Sequence, residues 1–186
     1  MRHQDLTRES KAGWLLALAW VVQGAMLVTI GGTAAFGFLA LWLPLALVFP
    51  LVFRPGRLGL EACGVAASLG GLGMAVGTGI DLAAGEAHAA HGMPGHGVAV
   101  LVSWMAALML VFCVAGCHRL CRVGRPALRF HLAAVLGMLA GMTLGGAALS
   151  GTLSSLAGSH LLGGHLAMLL GMTAGTAVGT GWLRPT

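Results

Sequence analysis

"HLAAVLGMLAGMTLGGAALSGTLSSLAGSHLLGGHLAMLLGMTAGTAVGTG" (residues 131–181) contains no Asp, Glu, Lys or Arg and is built largely of Ala, Gly and Leu. An apolar stretch of about 20 residues spans the hydrocarbon core of a bilayer as a helix, and this segment holds two of them. The rest of the chain fits the same solvent. Of its 186 residues, 58% are hydrophobic and 8% are charged, and its mean hydropathy is +0.91. A soluble domain carries roughly a quarter charged residues, so this composition cannot cover a surface against water. The reading is all-α: a polytopic transmembrane helix bundle forming one integral membrane domain over residues 1–186. Its spans are expected near 13–32, 34–53, 59–81, 97–117, 128–149 and 160–182, and residues 150–159 are read as a loop.

The start, "MRHQDLTRESKAG", is polar and leads into a span too long for a signal-peptide core, so no cleavable signal is expected. Basic loops stay on the cytoplasmic side of a membrane. Arg2, Arg8, Lys11, Arg54, Arg57, Arg119, Arg122, Arg125, Arg129 and Arg184 all fall on one side of these spans. Both termini are therefore expected in the cytoplasm of a bacterial-type membrane. The segment between spans 3 and 4 faces outward. The net charge of +5 is explained by orientation and by lipid headgroups, without nucleic acid. Cys63, Cys113, Cys117 and Cys121 lie in the inner half or the cytoplasm, where thiols stay reduced, so no structural disulfide is expected.

Glycine stripes account for packing. Gly137, Gly141 and Gly145 in span 5, and Gly171, Gly175 and Gly179 in span 6, let neighbouring backbones approach closely.

The donors carry the functional reading. "GEAHAAHGMPGHG" (85–97) places His88, His91, Met93 and His96 in one outward loop, with His160 and His165 at the start of span 6. Met105 and Met109, Met138 and Met142, and Met168 and Met172 repeat a four-residue spacing, which puts each pair on one helix face. Each pair resembles the Met-x-x-x-Met of the second membrane helix in the high-affinity copper transporter family. That resemblance covers one motif per helix and implies copper(I) as cargo. It does not extend to the family's three-helix subunit. At the inner end, Cys117, His118 and Cys121 stand beside four arginines that favour thiolate. Thioether and thiolate select copper(I), and a gradient from Met outside to Cys inside would favour inward delivery. Zinc and nickel are the other candidate ions, and the partners expected are the lipid bilayer and a homo-oligomer or a larger membrane complex.

Other chemistries fit less well. A haem between two helices needs ligands at one depth, whereas the two spans run in opposite directions and place His131 at the inner side of the membrane and His165 near the outer. "HLLGGHLAMLLGMTAG" (160–175) is similar to the last helix of rhomboid proteases, but no Gly-x-Ser-Gly nucleophile stands two helices earlier. "SHLLGGHLAM" (159–168) resembles a stretch of small nickel permeases, whose His-Pro and Asp-His residues are missing here. No nucleotide-binding loop is present, so ATP-driven pumping would need another protein. The competing class is a noncatalytic accessory or packing subunit of a larger membrane complex.

Overall fold

The computed structural model describes residues 2–32, 42–44, 46–47, 58–85, 103–120 and 128–181, which form helices and no strand. Helix α1 is Arg2–Gly31. Helix α2 runs without a break through Leu58–Val65, a π-helical turn at Ala66–Gly70, and Gly71–Ala83. Helix α3 is Trp104–Leu120, α4 is Leu128–Ala157 and α5 is His160–Gly181. Four segments are long and apolar enough to cross a membrane: Lys11–Gly31, Glu61–Ala83, Arg129–Ala157 and His160–Gly181. Helix α3 is equally apolar but shorter. The expected span 34–53 lies outside the described residues except for a helical turn at 42–44 and a turn at 46–47.

The loop expected at 150–159 is a correction. Helix α4 continues to Ala157, and only Gly158 and Ser159 separate it from α5. The serines there find acceptors without breaking the helix: Ser154 Oγ donates to the His160 carbonyl of α5 at 3.5 Å, and Ser155 bonds back to its own helix. Ser155 Oγ donates to the Thr152 carbonyl at 2.7 Å. Gly158 then reverses the chain with φ of +64°, a left-handed conformation that costs glycine nothing. Ser159 starts α5: its carbonyl accepts from Gly163 N at 2.9 Å and its Oγ from Leu162 N at 3.5 Å.

Two glycine-sealed helix pairs build the bundle. In the α4–α5 pair, a Cβ added at Gly141 would strike the Gly171 carbonyl, and one at Gly137 would strike that of Gly175. At Gly145 it would lie 2.6 Å from the Ala167 carbonyl oxygen. In the α2–α3 pair, a Cβ on Gly73 would lie 2.6 Å from the Leu108 carbonyl oxygen, and one on Gly77 would strike the Met105 backbone. Such contact lets membrane helices gain dispersion energy that burial from water cannot supply. The pairs meet where Cys63 Sγ of α2 reaches the Thr173 carbonyl of α5 at 3.7 Å. Helix α1 lies across both, with the Gln23 amide against Gly71 of α2, and Gly31 against the Leu162 side chain of α5.

Trp20 of α1 and Trp42 fasten the turn at 42–44 to the bundle. Their rings stack with centroids 3.9 Å apart and planes 7° from parallel. Trp20 Nε1 donates to the Trp42 carbonyl at 2.8 Å, and Trp42 Nε1 to that of Trp20 at 2.9 Å. Each indole therefore buries its ring with its N–H satisfied.

Candidate functional site

The interior is lined with sulfur. Along α3, Met105, Met109, Cys113 and Cys117 recur every four residues, and all four are buried. At helical rise they form a ladder of side chains about 6 Å apart, two thioethers followed by two thiols. Met138 and Met142 of α4, Met168 and Met172 of α5, and Met74 of α2 are buried in the same core cluster. Both members of every four-residue methionine pair thus face inward.

Around the lower rungs the helices come together. Gly70, which closes the π-helical turn of α2, sits where an added Cβ would lie 3.4 Å from Cys113 Sγ and 3.5 Å from Met172 Sδ. A π turn inserts one extra residue and rotates the face that follows, and such turns recur at functional sites. Below it, a cavity of about 20 Å³ is lined by Cys113, Cys117, His131, Met138, Ala62 and Thr176, among others. Cys63, Cys113 and Cys117 lie within electrostatic reach of one another, and none of the three is in a disulfide.

The upper core holds a polar pair. Gln23 Nε2 of α1 and His165 Nε2 of α5, both fully buried, are 3.1 Å apart. Gln23 Oε1 and the buried Thr78 Oγ1 have no hydrogen-bond partner among the described residues. Polar groups inside a membrane bundle are costly and mark cavities or ion pathways more often than packing. Asp81, by contrast, has a structural task. Its two carboxylate oxygens accept from Trp104 N at 3.2 Å and Met105 N at 3.3 Å, which caps α3 from a neighbouring helix.

Not every expected donor joins this interior. His160 is exposed at the first residue of α5, and His118 is exposed one residue from buried Cys117, on another face of α3. His88, His91, Met93, His96 and Cys121 lie outside the described residues. Among the described residues, no three His, Cys, Asp or Glu side chains form a group able to hold a metal ion. A four-ligand zinc site of the structural kind is therefore not assembled there. Three residues escaped the sequence reading of the site: the buried Gln23 and Glu61, and the half-buried, cavity-lining His131. For Gln23 and Glu61 the signal was a lone polar side chain inside an otherwise apolar span.

Comparison with protein-family models, with characterised proteins and with solved structures finds no match. The chain is defined by its own architecture: among the described residues it is helical, with four helices long and apolar enough to cross a membrane, compatible with an integral membrane protein.

Proposed function

We propose that this protein is an integral membrane protein that binds copper(I), or a similarly soft cation, at sulfur donors in its core and passes it across the bilayer. The observation that carries this reading is the segregation of methionine from leucine. Met74, Met105, Met109, Met138, Met142, Met168 and Met172 are all buried, Met26 is half-buried, and among the described residues no methionine is exposed. Leucine appears on both sides: Leu16, Leu27 and Leu162 are buried, while Leu18, Leu136, Leu144 and Leu156 are exposed. An interchangeable apolar filler would be shared between lipid and core in the same way. Seven thioethers turned inward instead supply soft ligands within the bundle.

In this reading His88, His91, Met93, His96 and His160 collect the ion outside, and His165 with the methionines carries it inward. The cysteines of the inner end receive it. A second reading, an accessory subunit of a larger complex, draws on the exposed stripe Leu132, Leu136, Leu144 and Leu156 of α4. Lipid alone also covers such a stripe.

Copper(I) uptake into proteoliposomes separates the two. Met109→Leu with Met142→Leu conserves volume and apolarity, so packing should survive within about 1.5 kcal/mol per site. The variant is expected to fold and to lose uptake at every copper concentration. His88→Asn, His91→Asn and His96→Asn together should lose uptake only when copper is scarce, because capture is then limiting. A folded Met109→Leu/Met142→Leu protein with wild-type uptake would return the methionines to packing.

A further inference from the structure

The inner end of the bundle brings together donors that no single helix supplies. Cys113 and Cys117 descend from α3, and His131 and Met138 approach from α4, around a half-open cavity that Ala62 of α2 and Thr176 of α5 also line. Its volume of about 20 Å³ exceeds what one water-sized sphere needs. The cavity takes His131 in place of His118, whose ring is exposed on another face of α3.

We propose that this cavity is a copper(I)-binding site whose ligands are drawn from Cys113, Cys117, His131 and Met138. The proposal rests on the soft-metal reading above and adds where an ion is held. Thiolate and thioether sulfur together select copper(I) over harder divalent ions, and neutral imidazole completes such a set. Cys113, Cys117 and His131 line the space without already forming a closed ligand group. Thiols reorient by one torsion and methionine by three, so these donors can turn toward an ion. Each ligating thiol gives its proton to water as the ion enters, and the oxidation state of copper does not change. One thiolate with copper(I) is neutral and two carry a single negative charge. In a low-dielectric interior either is far cheaper than the bare cation. The exposed Arg119 and Arg129 stand at the same ends of α3 and α4 as the thiols and His131.

The test uses the full chain, reduced and in lipid nanodiscs, titrated anaerobically with copper(I). The readouts are the near-ultraviolet thiolate-to-copper(I) absorption band and retention against a copper(I) chelator. Wild-type protein should develop the band, and Cys113→Ser with Cys117→Ser should abolish it. His131→Asn should keep the band but retain copper about tenfold less well. His118→Asn should match wild type. A band that persists in the folded Cys113→Ser/Cys117→Ser protein, or no band in wild type, overturns the proposal. If that variant does not fold, unchanged retention in both His131→Asn and Met138→Leu overturns it instead. Met109→Leu/Met142→Leu should keep the band. Normal uptake in that variant, with the band intact, would therefore sink the conduction path and leave this site standing.

Discussion

Replacing Gly145 by alanine adds one methyl group inside the close backbone contact of the α4–α5 pair. Its Cβ would lie 2.6 Å from the Ala167 carbonyl oxygen and 2.6 Å from Gly171 Cα. Carbon atoms rest at about 3.5–4.0 Å, so the two backbones must part by about 1 Å. Overpacking of this kind costs about 1–3 kcal/mol. Alanine also favours the helix over glycine by about 1 kcal/mol, which hides part of that cost. Gly151→Ala on the same helix removes the ambiguity, because an added Cβ there meets nothing within 4 Å. The propensity gain is common to both substitutions, so their difference isolates the contact at about 1–3 kcal/mol. For a chain of this length that difference corresponds to about 2–12 °C between the two midpoints. Thermal unfolding followed by circular dichroism in one detergent, at one heating rate, measures it. Equal midpoints, or a lower one for Gly151→Ala, would refute the close backbone contact between α4 and α5.

Other predictions follow from the caps and the charges. Asp81→Ala should lower stability by about 1 kcal/mol by uncapping α3, and Asp81→Asn by less, with copper retention unchanged in both. Unfolding midpoints beside metal content check this, and lost retention with unchanged stability would make Asp81 a ligand. Gly92→Cys should react with a membrane-impermeant maleimide in intact cells and Gly124→Cys only after lysis, because the cations segregate to one side. The opposite pattern would invert the direction of the path.

Span positions were legible wherever an apolar run ended in its own signals. The expected 160–182 and 59–81 lie within about two residues of His160–Gly181 and Leu58–Ala83. The end of α4 was not legible. Ser150, Thr152, Ser154 and Ser155 read as a polar loop, yet Ser155 satisfies its hydroxyl on its own helix and the chain stays helical. That the methionines of each pair share one helix face was visible in their four-residue spacing, but that this face turns inward was not. That Met105, Met109, Cys113 and Cys117 form one ladder follows from the same arithmetic across the change from thioether to thiol. What spacing alone could not show is how the two helix pairs and α1 meet. His131 joins Cys117, and Gln23 meets His165, across 142 residues of sequence in the second case, through packing that the glycine contacts decide.

The claim that the buried sulfur is there to hold a soft ion is tested most directly by the ion's own surroundings. Wild-type protein is loaded with copper(I) under anaerobic conditions, washed with a copper(I) chelator, and examined by X-ray absorption at the copper edge. The account predicts about one or more copper ions kept per chain, with sulfur dominating the nearest shell. Copper removed completely by the chelator, or a shell of nitrogen and oxygen alone, would contradict it.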